Sequence, residues 1–170
     1  MGRLDWKRGR FDTDFETNEI NQSLRGHQRS QVGDSVDYYR FEREFSEMHN
    51  VYDEGHGAGR VFRPPVSLPV LHATHDEGVR DDEDTGFYWN DNIYITASYE
   101  QVRRTGLTFM DIQHQGYLKD RLEYDGLIFK VTAVRVVGQI NRRDTVVSIE
   151  GTQVRDDELV NDPQFKAWSA

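Results

Sequence analysis

The sequence predicts a mainly β domain preceded by a helical arm, and three observations carry that expectation. Val, Ile, Phe and Tyr recur in short runs bounded by Gly, Pro, Asn and Asp, the composition of strands separated by turns. Asp125-Gly126 stands between two of those runs and is the dipeptide of a tight hairpin. The first 35 residues instead space their apolar side chains widely, with Ile20 and Leu24 one helical turn apart.

In chain order, residues 1–35 form the arm. Asp14 stands where a cap would start a helix running from Phe15 towards Arg29. Such a segment has no core of its own. Burying four side chains such as Phe11, Phe15, Ile20 and Leu24 is worth roughly 1.5–3 kcal/mol each, so the arm is expected to dock, preferentially on a neighbouring subunit. Val36–Phe41 is dense in β-formers and begins a β domain expected over 36–155. Residues 48–60 form a loop with Gly55, Gly57 and Gly59, after which Val61–Pro65 resumes an extended path. Val66–Ala73 is expected as one strand, which Pro69 pushes towards a sheet edge. Residues 75–86 are expected as an acidic loop.

Phe87-Tyr88-Trp89 leads into a strand at Ile93–Ala97, followed by a short helix capped by Ser98 and stopped at Gly106. The clearest region is the last third, where Tyr117–Tyr124, Leu127–Val137 and Thr145–Gln153 are expected as a three-stranded meander. Its turns fall at Asp125-Gly126 and around Asn141–Asp144. A polar tail, 156–170, carries Phe165 and Trp168.

Composition excludes several function classes. Charged residues make up 30% of the 170 and the hydrophobic set 36%, so the core must be compact. An aromatic share of 12% argues against wholesale disorder and supplies rigid anchors of the type enriched at interfaces. The chain has no cysteine, which rules out disulfides, thiolate zinc sites and a Cys nucleophile. No run is apolar enough for a transmembrane helix or a signal peptide, so a product made and used in the cytoplasm, without a membrane, is expected. With a net charge of −9, Arg103-Arg104 and Arg142-Arg143 are isolated pairs in an acidic background, and tight nucleic-acid binding is not expected.

The candidate chemistry is thin. His72 and His75, with Asp76-Glu77 behind them, have the residue types of a metal site, but on a strand i and i+3 face opposite ways. Gly55-x-Gly57-x-Gly59 lacks the Lys-Ser/Thr of a phosphate loop. Asp81, Asp82, Glu83 and Asp84 lack the ligand register of a calcium loop. No nucleophile elbow or triad context is present. The expectation is therefore a non-enzymatic protein without catalytic residues, metal or cofactor.

One resemblance runs from about Asn18 to Asp162. Its motifs, in order, are Tyr38-Tyr39-Arg40-Phe41-Glu42, His49-x-Val51-Tyr52-Asp53-Glu54, Gly57-x-Gly59-Arg60-Val61 and Pro64-Pro65-Val66. Tyr117-Leu118-Lys119-Asp120-Arg121, Tyr124-Asp125-Gly126, Gly138-Gln139-Ile140 with Asp144, and Gly151-Thr152-Gln153-Val154 follow, and Asp157-Glu158-Leu159 and Asn161-Asp162 close the series. In this order they resemble the head-to-tail stopper (connector) proteins of long-tailed phages of actinobacteria. The resemblance implies a small β-barrel or β-sandwich with an N-terminal helical arm and extended loops, working as a virion structural protein at the head-tail junction. It implies copies of the chain in a cyclic ring, set between a head-side portal or adaptor and a tail terminator or tail tube protein. Double-stranded DNA would pass through without tight binding.

On this reading Phe11, Phe15, Ile20, Leu24, Tyr52, Arg60, Leu159, Phe165 and Trp168 are the expected assembly contacts. Asp81, Asp82, Glu83 and Asp84 are the expected lumen loop, with Tyr52–Arg60 as its rival. Three other readings are a neighbouring neck component (adaptor or tail terminator), a metal-dependent enzyme on His72 and His75, and a glycan-binding β module.

Overall fold

In the computed structural model the described residues are 13–28, 33–47, 59–83, 86–140, 143–155 and 158–168. Within them the chain is mainly β. Helix α1 (Thr13–His27) leads into β1 (Ser35–Tyr39), a 3₁₀ turn at Arg43–Phe45, and then β2 (Val66–Pro69), β3 (His72–Glu83) and β4 (Gly86–Ser98). Two short helices, α2 (Tyr99–Arg104) and α3 (Phe109–Gln113), precede β5 (Arg121–Tyr124), β6 (Leu127–Ile140) and β7 (Arg143–Gln153). The 3₁₀ helices Glu158–Asn161 and Pro163–Trp168 follow.

All strand pairs are antiparallel, in one seven-stranded sheet of order β2-β1-β5-β6-β7-β4-β3. The outermost strands, β2 and β3, are separated in the chain only by Val70 and Leu71. Laid flat, six strand spacings of about 4.8 Å would hold them roughly 29 Å apart. Pro69 to His72 is three Cα steps, at most about 11 Å. The sheet is therefore rolled, and this two-residue joint ties its ends: Val70 donates its N–H to the Asp34 carbonyl at 3.1 Å, and Leu71 donates to the Thr96 carbonyl at 2.7 Å. Consecutive residues thus serve opposite ends of the sheet, as in sandwich corners where a strand changes sheets.

That roll corrects the expectation of a single strand over Val66–Ala73: the segment is two strands that meet at a corner. Pro69 does lie on an edge strand, where its missing N–H leaves no ladder bond unmade.

The inner faces converge on one apolar cluster. Val36 and Tyr38 (β1), Leu68 (β2), Ile93 and Ile95 (β4), Leu122 (β5), Phe129, Val131 and Val134 (β6), and Val147 and Ile149 (β7) all belong to it. Along β7 burial alternates strictly from Thr145 to Gly151, the period-2 signature of a strand with one face in the core. Gly151 faces inward where β4, β6 and β7 come close. A Cβ there would stand 3.1 Å from Ile93 Cγ2 and 3.2 Å from both Phe129 Cβ and the Lys130 carbonyl oxygen.

The meander is present as expected. Leu122 pairs with Phe129 and Tyr124 with Leu127, while Asp125 (φ 51°) and Gly126 (φ 77°) both take the left-handed conformation of a type I′ hairpin turn. Its first strand is shorter than expected, because residues 114–119 turn and β5 starts at Arg121.

The expected acidic loop at 75–86 is instead a hairpin. β3 runs to Glu83 and β4 starts at Gly86, with Arg80 opposite Trp89 and Asp82 opposite Phe87. The aromatic β-formers on β4 give the acidic partner a pairing template, so ladder formation overrides the weak β-propensity of Asp and Glu. β4 pairs with β7 only from Asn92 to Ser98. From Gly86 to Asn90 it pairs only with β3, so the hairpin runs on as a two-stranded arm for roughly 17 Å. A bulge between Asp76 and Val79 marks its base, held by Asp91. One carboxylate oxygen accepts the Gly78 N–H at 2.9 Å and the other lies 3.1 Å from His75 Nε2.

α2 begins after Ser98 as expected, but the Ser98 side chain makes no capping bond. α3, absent from the elements expected from sequence, has a complete capping box: Asp111 N–H donates to Thr108 Oγ1 at 3.2 Å, and Thr108 N–H donates to Asp111 Oδ2 at 2.9 Å.

Candidate assembly site

Two buried carboxylates organise the face where β1 and β5 meet the C-terminal segment. Asp120, just before β5, is 1% exposed and accepts from Tyr38 Oη at 2.6 Å, Arg40 Nη1 at 2.7 Å and the Phe41 N–H at 2.9 Å. Arg40 also reaches Asp111 Oδ1 at 2.9 Å and so joins β1 to α3. Asp162, in the C-terminal segment, is fully buried. Its Oδ2 accepts from Arg121 Nε at 2.9 Å and Nη2 at 2.7 Å, and its Oδ1 accepts from Arg60 Nη1 at 3.3 Å. Arg121 ties Asp162 to the backbone beside Asp120, since its Nη1 also donates to the main-chain carbonyls of Lys119 and Asp120.

A second apolar cluster packs beside this network: Tyr39, Phe62, Ile128, Val154, Leu159 and Phe165, with Phe41 at its border. Phe165 is fully buried, its ring edge-on to Tyr39 at 4.9 Å and tilted against Phe62 at 5.2 Å. Arg121 stands over the Phe62 ring at 5.6 Å, and Gln164 Oε1 accepts the Phe62 N–H at 3.3 Å. The connection between β1 and β2 and the C-terminal 3₁₀ helices are thereby fastened to the same edge of the rolled sheet.

The electrostatics follow from burial. Burial, together with the charge of Asp120, pushes the Tyr38 hydroxyl well above the usual tyrosine range. Tyr39 rises for the same reason, helped by its 2.7 Å bond to Glu123. Burial also raises the Asp120 carboxyl, and Arg40, the Phe41 N–H and Tyr38 offset only part of that shift. Arg40 is partly desolvated too, but facing Asp120, Tyr38 and Asp111 it ends above its usual value. Arg121 ends below its own, because burial outweighs Asp162. Each carboxylate is occupied by at least two donors, so the arrangement holds segments in place and presents no open nucleophile or base.

Asp111 yields a pH prediction. Partial burial pushes its carboxyl up, but the hydrogen bonds from Thr108 and the Arg40 guanidinium win and hold it below the usual carboxylate range. A depressed carboxyl stabilises the fold above its unfolded pKa, and that contribution disappears as pH falls through the folded value. Asp111→Asn is therefore expected to cost about 0.5–1 kcal/mol at pH 7. The difference from the parent chain should narrow as pH falls below the ordinary carboxylate range. Urea melts at several pH values check this, and a difference that does not shrink as the medium is acidified would refute it.

The expected assembly contacts are not brought to one place. Arg60, Leu159 and Phe165 gather at the clamp just described, with Leu159 and Phe165 buried inside their own chain. Phe15 (half-exposed), Ile20 and Leu24 (half-buried) lie on α1. Asp81, Asp82 and Glu83 lie in β3 along the hairpin arm. Phe11, Tyr52 and Asp84 fall outside the described residues, as do most of the Tyr52–Arg60 segment and the side chain of Trp168, whose backbone belongs to the last 3₁₀ helix.

Sequence reasoning did not single out Tyr38, Arg40, Asp120, Arg121 or Asp162 as a site, although all five lie in the motifs that carry the resemblance. It also passed over the exposed Phe45, Phe109, Met110, Leu118 and Val137. Scattered single apolar residues on a surface leave no periodic signal in sequence.

His72 and His75 do not converge on a metal-ligand set. His72 Nε2 lies 3.0 Å from Thr74 Oγ1, and His75 meets Asp91 and the edge of the Phe129 ring. Among the described residues no cluster of three or more His, Asp or Glu has metal-binding geometry, and no helix is long and apolar enough to cross a membrane.

No protein-family model matches the chain, and no curated protein matches it. Among solved structures, it is similar to a chain of the virion of a native gene transfer agent (GTA) particle. That likeness has a TM-score of 0.44 at 11% identity, over 71% of this chain and 94% of the other.

Proposed function

We propose that this chain is a structural protein of a phage virion, the head-to-tail stopper of the neck, and not an enzyme. The observation that carries the proposal is the ordered series of motifs from Tyr38 to Asp162. The buried clamp supports it, because Tyr38, Arg40, Arg60, Asp120, Arg121 and Asp162 come from four of those motifs and meet in space. A shared scaffold accounts for such motifs without any catalytic residue, and the saturated carboxylates suit that role.

In this reading 36–155 is the ring-forming body, 1–35 an arm for neighbouring subunits, and 156–170 a tail fastened to the body. The ring joins the portal or adaptor to the tail. The hairpin arm of β3 and β4 is the candidate for the lumen side, where the chain's acidic character would repel phosphate and leave no strong binding minimum.

Electron microscopy of lysates from a phage lacking this gene tests the proposal. DNA-filled or leaking heads beside free tails of normal length are expected. Overlong tails would move the chain to the terminator position, and intact infectious virions would overturn the neck assignment.

A further inference from the structure

A cleft of about 460 Å³ opens beside the end of α1, within the size range of small-ligand sites. Its lining comes from three places: Arg25 and Gln28 at the C-terminal end of α1, Asp34 and Pro69 where β1 and β2 pair, and Gln101 and Arg104 of α2. Most of these groups are already committed. Arg25 pairs with Glu100, and Gln28 Nε2 donates to the Pro69 carbonyl at 2.9 Å. Asp34 accepts from the Ser35 N–H at 2.8 Å and from the Tyr124 hydroxyl at 3.0 Å.

Two groups are left over. Gln101 is only 9% exposed, and its side-chain amide has no hydrogen-bond partner among the described residues. Neither polar atom of that amide is shut off from solvent, and the residue lines the cleft. A nearly buried amide without a partner costs stability until water or a ligand completes it. Arg104, three positions on, is exposed and pairs with no carboxylate among the described residues. At that spacing the two side chains are neighbours on one face of α2.

We propose that this cleft binds an acidic peptide segment, with Arg104 taking a Glu or Asp carboxylate and Gln101 pairing its amide with the adjoining peptide group. The chemistry of the two left-over groups sets that class. A guanidinium fork matches a carboxylate, and a primary amide offers both the donor and the acceptor that a peptide unit requires. A multiply charged phosphate suits the cleft less well. Glu100 neutralises Arg25, the Asp34 carboxylate stands in the lining, and the chain as a whole carries a net charge of −9. One unmatched cation calls for one negative charge. The inference concerns the isolated chain and does not depend on the neck reading.

The test follows the Gln101 side-chain amide signals by NMR in the isotope-labelled, full-length chain. It is titrated at constant ionic strength with acetyl-Gly-Glu-Gly-amide, with the Gln counterpart of that peptide, and with inorganic phosphate. The Glu peptide is expected to shift the Gln101 signals and to saturate below about 10 mM, with the Gln peptide binding about tenfold more weakly. Arg104→Gln should lose the same factor of about ten for the Glu peptide and keep its affinity for the Gln peptide. That side chain is exposed and holds nothing else among the described residues, so the variant folds as the parent does. The absence of a saturable shift, equal affinity for the two peptides, or an Arg104→Gln chain that still prefers the Glu peptide would each overturn the proposal. Phosphate binding as tightly as the Glu peptide would also overturn it, since the cleft would then select charge without reading a peptide.

Discussion

Asp120→Ala is expected to cost about 3–5 kcal/mol of folding stability, seen as a lower urea midpoint at unchanged slope. The substitution removes the acceptor shared by Tyr38, Arg40 and the Phe41 N–H, all drawn to a carboxylate that is 1% exposed. The cost is less the loss of three hydrogen bonds than the stranding of their donors. A half-buried guanidinium and a buried phenol would be left where water reaches them poorly. Arg40 keeps Asp111, so its charge is not wholly orphaned. Asp120→Asn should cost less than alanine, because Oδ1 still accepts the Phe41 N–H. A loss below about 1 kcal/mol for alanine would show that the clamp is relieved by rearrangement or water entry.

Phe165→Ala is expected to destabilise the isolated chain by a similar amount, about 3–5 kcal/mol. The ring is fully buried between Tyr39 and Phe62, so its loss opens a cavity where β1, the β1–β2 connection and the C-terminal 3₁₀ helix meet. Phe165→Leu keeps most of the volume and should lose less than about 1.5 kcal/mol. The measurement separates two roles for this residue. An assembly anchor would leave the isolated chain as stable as before and weaken only the association of subunits. A residue that closes its own core lowers the urea midpoint of the isolated chain, and unchanged stability in Phe165→Ala would contradict the packing seen here.

Much of the fold was legible because local rules and the tertiary structure agree. Asp125-Gly126 turns a hairpin through its own left-handed preference, and the Val/Ile alternation of β7 needs only one buried face. The Thr108-x-x-Asp111 capping box was also legible in principle, as a helix start that the short α3 made easy to pass over. The acidic stretch after His75 misled because its strand character comes from its partner. Asp81 and Asp82 extend by pairing with Tyr88 and Phe87, and nothing in their own side chains favours that conformation.

The candidate site divides the same way. Sequence by itself determined the class of fold: β-rich, acidic, without cysteine, with an N-terminal helix. Those properties belong to local propensity, turn chemistry and net charge, which act over a few residues or over the whole composition. Only the tertiary structure decided that the strand run through Pro69 breaks at Val70–Leu71 to tie the two ends of a rolled sheet. It alone decided that Arg40, Asp120, Arg121 and Asp162 form one buried clamp and that Phe165 closes its own core. These contacts join residues from 25 (Leu71 and Thr96) to 126 (Tyr39 and Phe165) positions apart, and which charge is desolvated against which is set by the packing of the whole chain.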